Sequence, residues 1–446
     1  MKVRYLWLTT LVNPLIAVLA FIGVFDLKYD LVGWSFILTA VQSALMLGFA
    51  ATRSANLLTI YALFSFVFLG LIPWLHYSAQ VVIWRSYPLA LMTYVDVNFA
   101  IFFANLTTAA AYVLTSSNQR VRIARLYTIR RRQLTSFMLL TLSLLGFWGV
   151  LHLNGYNFRL LLFRGLVDQT RDVMFTSSSV ALVFGMVARL LPAFAFYFAV
   201  TELKKAWFLK IVLFGILLFA VFPTGVARYL VAYAYIPVLM VMVPDARKGS
   251  VFAVTFLASL LFIFPVLNQF RYFDGFDRVS LLPSKDFFFA AHFDAYENFG
   301  SAVEAHFVTF GYQLVGVLLF FVPRAFWPDK PVGSGYEMAN SQDYVFNNIS
   351  MPFLGEGYIN FGIVGVILFA GFIGYAMARV DRARTLRQQV GERLRYDDLI
   401  YYFLFGAVFF VLRGDLLSSF AYLSAGLVVA WFVGTLLRFL NREVRR

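Results

Sequence analysis

Twelve apolar runs, each close to the length that crosses a bilayer, leave this chain few folds to adopt. They lie at about 5–25, 32–51, 57–76, 89–115, 134–153, 179–202, 207–222, 227–243, 250–267, 353–378, 397–412 and 417–437. About twenty helical residues span the roughly 30 Å hydrocarbon core, where only helices and closed barrels satisfy their own backbone. A barrel would show alternating segments of about ten residues, whereas these runs are continuous. Hydrophobic residues make up 61% of the chain and charged residues 13%, against about a quarter charged in soluble domains. Nothing is polar enough to remain disordered. The expected fold class is an all-α polytopic membrane protein, one integral membrane domain over residues 1–446. The first run lacks a convincing cleavage site and reads as a span, not a signal peptide.

The net charge is +14, from 37 Lys and Arg against 23 Asp and Glu. In a soluble chain such an excess would suggest nucleic acid, but here it follows the positive-inside rule. With the N-terminus placed in the cytoplasm, 23 of the 37 basic residues fall in inner segments, including six between Arg120 and Arg132 and six between Arg379 and Arg395. Both termini are therefore expected to be cytoplasmic, and no nucleic-acid partner is expected.

One outer segment, about 268–352, is far longer than the other loops. It carries Arg271, Asp274, Asp277, Arg278, His292, Asp294, Glu297, Glu304, His306, Arg324, Lys330 and Glu337, with Glu356 just beyond. Loops of this length are functional or disordered, and the aromatic density of this one argues against disorder. Its apolar stretch 307–322 is expected to re-enter from outside or lie in a core. A further span there would move six arginines to the outer face.

Four arginines stand against the inner bias. Arg228 follows the breaker Pro223-Thr224-Gly225, Arg271 follows an outward span, Arg324 follows the 307–322 stretch, and Arg413 ends another outward span. All reach one depth on the outer side. Guanidinium groups fork onto phosphate oxygens, so this set points to a diphosphate-binding site. Arg189 sits near the centre of its span, where charge is costly, and Asp96 is its candidate partner. The chain has no cysteine, no Walker loop and no HExxH pattern, and its four histidines are scattered. No metal and no cofactor are expected.

The runs FVPRAFWPDKP (321–331) and SMPFLGEGYINFGIVGV (350–366), with FPTGVARYL (222–230) and VLRGD (411–415), resemble the bacterial O-antigen and oligosaccharide repeat-unit polymerases. The resemblance covers about 222–420, and in the first six spans only the topology matches. It implies a GT-C-like, metal-independent membrane glycosyltransferase of the inner membrane, with a large periplasmic loop over 268–352 and an active site facing the periplasm. Such an enzyme moves a growing glycan from undecaprenyl diphosphate onto an undecaprenyl-diphosphate-linked repeat unit, within membrane lipid and beside a chain-length co-polymerase. Arg228, Arg271, Arg324 and Arg413 would bind the donor diphosphate, with Arg189, Glu297 and Lys330 as further substrate contacts. Glu356 is the first candidate for the base, followed by His306 and Asp294. Glu356 also suits a helix-dipole role, and Lys330 a loop-capping one. The alternatives are an O-antigen ligase with a lipid A-core acceptor and a lipid-linked oligosaccharide flippase or transporter.

Overall fold

In a computed structural model, which describes residues 25–117, 129, 131–163, 178–269, 285–390 and 394–441, the apolar runs become helices packed lengthwise. The first run up to residue 24 and Arg271 lie outside the described residues. The helices are α1 (Leu31–Ala51), α2 (Leu57–Ala79), α3 (Leu91–Ser117), α4 (Arg132–Leu153), α5 (Ser178–Glu202), α6 (Trp207–Ala220), α7 (Arg228–Met242) and α8 (Gly249–Ala258). A π turn carries α8 on into Phe264–Gln269. Three short helices follow, α9 (Ala295–Glu304), α10 (Tyr312–Leu318) and α11 (Ser334–Ser341). The last three are α12 (Phe353–Val390), α13 (Tyr396–Arg413) and α14 (Leu416–Leu440). Among the described residues there is no strand, only an isolated bridge between Ser54 and Lys248. Seven of these helices are long and apolar enough to cross a membrane, which gives the protein its transmembrane character.

The helix starts are written in the sequence. Asp30 caps α1 by accepting from Gly33 N at 2.9 Å, so it serves as a cap. Asn56 caps α2 in the same way, through Thr59 N at 3.0 Å. Helix α2 is apolar all round and wholly buried, as a central helix must be. A polar region within it meets Asn105 of α3, which accepts from Tyr61 Oη at 3.0 Å and donates to Ser65 Oγ at 3.0 Å and Gln42 Oε1 at 3.1 Å. Side-chain amides join helices well where lipid offers no competing partner. Around α2, α12 packs along α3, α4 along α5, and α7 along α13.

Polar side chains gather at the two ends of the bundle. At one end Asp381 accepts from Leu57 N at 3.1 Å, Tyr112 Oη at 2.7 Å and Tyr401 Oη at 2.6 Å. Arg384 lies over the rings of Tyr401 and Tyr402 at 4.6 and 4.7 Å. At the opposite end, about 18 Å along α13 from Tyr401 by its 1.5 Å rise, Arg413 meets the 285–352 segment. That second end, called here the loop end, carries the candidate site.

Helix α12 is broken at Phe361 and Gly362, whose φ of +63° is left-handed. The break turns 353–360 into a separate turn of helix lying over the loop end, so that Gly357 and Gly365 touch backbone to backbone. A Cβ on Gly365 would fall 1.9 Å from the Gly357 carbonyl oxygen. Gly365→Ala is therefore expected to destabilise the protein by about 1–3 kcal/mol, as overpacking does. Gly371→Ala, whose new Cβ would stand 3.6 Å from Thr107, should melt with the wild type in detergent. Equal melting of the two variants would contradict the close approach.

Candidate functional site

The loop end is organised by an aromatic wedge. Lys285–Phe289 and Ala291–Phe293 form two short 3₁₀ turns, and Phe287 and Phe293 are buried beneath them. Phe293 packs on Phe68 of α2 at 5.1 Å between ring centroids. Burying the wedge fixes the two residues between and after it, His292 and Asp294, above the ends of α7 and α13. His76, near the end of α2, holds the turn from below. Its Nε2 is 2.7 Å from the Phe288 carbonyl and its ring stacks on Phe289.

Arg413, the last residue of α13, donates from Nε to the His292 carbonyl at 2.9 Å and from Nη2 to Asp294 Oδ1 at 3.1 Å. Arg228, the first residue of α7, lies over the ring of Phe264 at 5.9 Å. Burial lowers the His292 pKa to about 2, and the charges of Arg228, Arg413 and His76 add to the effect. The ring is therefore neutral at physiological pH. Its Nε2 is buried and makes no hydrogen bond among the described residues. A buried neutral imidazole under the charge of two guanidinium groups becomes more basic when an anion beside it offsets the arginine charge.

The other acidic candidates are engaged in holding the end together. Asp294, 2% exposed, accepts from Trp84 Nε1 at 2.9 Å, Asn298 Nδ2 at 3.0 Å and Ser350 Oγ at 2.6 Å besides Arg413. Glu297 accepts the backbone N–H groups of Ile83 and Trp84 at 2.7 Å each and of Arg85 at 3.2 Å. Burial raises its pKa, against those hydrogen bonds, which lower it. Arg85 in turn pairs with Glu304 at 3.2 Å, so α9 clasps the 81–90 loop. Glu356 is fully buried. It accepts from Ser334 Oγ at 2.7 Å and from Leu416 N at 2.9 Å, joining α11, α12 and the start of α14.

The remaining sequence candidates make other contacts. Arg324 donates to the carbonyls of Pro328 and Pro331 at 3.2 and 3.4 Å. Lys330 donates to those of Phe320 and Val322, and burial and Arg324 lower its pKa. His306 is exposed at the end of α9, with a left-handed φ of +49°. Arg189 reaches the Gly185 carbonyl on its own helix at 3.3 Å and bears electrostatically on Tyr229. Tyr229 itself is stacked on Phe410 at 4.2 Å. Asp96, the partner that the sequence suggests for Arg189, lies on an exposed part of α3. Thus Arg228, Arg413 and Asp294 are brought to one place, together with His292 and His76. Sequence reasoning counted these two histidines without choosing them. The usable signal was the Phe287-Phe288-Phe289 run before His292, which demands burial and carries the histidine with it.

Among the described residues no group of three or more His, Asp or Glu is arranged to hold a metal ion. No protein-family model matches the chain, and no curated protein and no solved structure matches it.

Proposed function

We propose that the protein is a membrane glycosyltransferase that polymerises lipid-linked polysaccharide repeat units. In this reading the bundle has twelve spans of GT-C-like type, its termini are cytoplasmic, and the loop end faces the periplasm from the inner membrane. The observation that carries the reading is the pair Arg228 and Arg413, whose charges both bear on the buried, neutral His292, with Arg413 donating to the His292 backbone carbonyl. The donor is a glycan on undecaprenyl diphosphate, and its diphosphate lies between the two guanidinium groups.

The chemistry then needs little beyond positioning and charge. The acceptor hydroxyl of a second lipid-linked repeat attacks the anomeric carbon, forming a new carbon–oxygen bond. The bond from that carbon to the diphosphate oxygen breaks, and its electron pair leaves with undecaprenyl diphosphate. Preorganised arginines stabilise the charge that develops there. His292 Nε2 takes the hydroxyl proton; burial first, and the arginine charges second, keep the free ring neutral, and the adjacent diphosphate offsets the arginine contribution. The base is assigned to His292 because Glu356, Asp294 and Glu297 already hold structural donors.

The reading is tested by incubating purified protein with lipid-linked repeat units and resolving the products by chain length. A ladder with release of one polyprenyl diphosphate per added unit is expected. Transfer solely to a lipid A-core acceptor, or transport without bond formation, would overturn it. The His292 assignment also sets the pH dependence. A histidine of pKa near 2 is already a neutral base in the free enzyme, so kcat/KM should be flat from pH 5 to 8. An ordinary histidine would lose about tenfold per pH unit below about 6.5. A limb with its midpoint there would contradict the assignment.

A further inference from the structure

The segment around α10 leaves an apolar ridge uncovered. Phe310 is 86% exposed and Phe326 84%, and between them Tyr312, Val315, Leu318 and Phe321 also face outward. Within α10 the buried side is made by Gln313, Gly316 and Val317, so the helix is turned with its apolar side away from the protein. In water such a patch would be a liability, and contiguous exposed apolar surface marks an interaction site.

Two membrane-spanning helices fix the depth of this ridge. Phe320 packs edge-on against Phe420 of α14 at 6.0 Å. Phe420 is four residues inside α14, or about 6 Å below its start. On the other side, Gly311 lies against the ring of Phe361, within 3.1 Å of a Cβ built on it. Beyond that, Ile363 and Val364 open the second part of α12, both exposed. The ridge therefore sits level with the entry of two apolar helices into the bilayer. Arg324, exposed, and Lys330 stand at its edge with their heads on carbonyls of the same loop, the placement of cationic residues at a lipid surface with aromatic rings beneath them.

We infer that the 310–326 ridge is an interfacial anchor, seated in the lipid surface at the boundary between headgroups and acyl chains. Helices of this kind bury their apolar face about 5–10 Å into the interface. The occupant is the bilayer itself. The inference is independent of the enzymatic reading.

The cysteine-free chain makes the test direct. Phe326→Cys and, as a control, Val345→Cys, whose site is fully exposed, each carry one environment-sensitive fluorophore. Each protein is reconstituted into vesicles of phosphatidylcholine and phosphatidylglycerol. Quenchers are aqueous iodide and lipid nitroxides placed either near the headgroup or near the chain end. At position 326 the shallow nitroxide should quench several-fold more than at position 345, with iodide quenching correspondingly weaker. Equal iodide quenching at both positions would overturn the inference. Protection from iodide and lipid alike would place another protein surface on the ridge and overturn it too. Stronger quenching by the deep nitroxide would make the segment re-entrant instead of interfacial.

Discussion

Alanine at position 228 is expected to lower the initial rate of chain growth by about two to three orders of magnitude while leaving the protein folded. That is the usual effect of removing one preorganised donor from a developing oxyanion. Arg228 opens α7 at the loop end and lies over the Phe264 ring. There its charge, like that of Arg413, bears on His292. Arg228→Lys keeps the charge and loses the planar fork, so an intermediate rate is expected. Chain growth measured from lipid-linked repeats, with the thermal midpoint of each variant in detergent, separates a catalytic loss from unfolding. A wild-type rate in Arg228→Ala would sink the assignment of this arginine to the diphosphate.

The second large effect is on stability. Asp294→Ala is expected to cost about 3 kcal/mol, the lower end of the range for breaking a buried ion pair from one side. The low end applies because the Arg413 side chain keeps a quarter of its surface exposed. The loss is wider than one pair, because Trp84, Asn298 and Ser350 all donate to the same carboxylate. Asp294→Asn retains acceptor capacity and should recover part of the stability. Arg413 and His292 would lose their common support in either variant, so activity should fall with stability. An alanine variant that melts with the wild type would show that Asp294 does not tie these four elements together.

The helices were legible from the sequence because hydrocarbon thickness dictates the length of an apolar run. The run at 32–51 is the helix Leu31–Ala51, and that at 417–437 is Leu416–Leu440. Arg228 and Arg413 stood out because they defy the charge bias of their side, and this marks the loop end before any contact is known. What the sequence does not show is where a loop folds back. Arg324 and Lys330 look like phosphate ligands in a proline-rich motif, yet both meet carbonyls of their own loop. Glu356 looks like an acid at the mouth of a span. The break at Phe361–Gly362 instead tucks it under Ser334 and Leu416. His292 acquires its surroundings from a wedge packed on α2, a contact more than two hundred residues away in sequence.

The most direct test of the central claim is equilibrium binding of undecaprenyl diphosphate to the purified protein, because it needs no turnover. Wild type, Arg228→Ala and Arg324→Ala would be compared in the same detergent. A charged hydrogen bond contributes about 1.5–3 kcal/mol, so Arg228→Ala should bind about ten- to a hundredfold more weakly, and Arg324→Ala should bind as the wild type does. Undiminished binding in Arg228→Ala, or a loss confined to Arg324→Ala, would contradict a diphosphate site built around Arg228, His292 and Arg413.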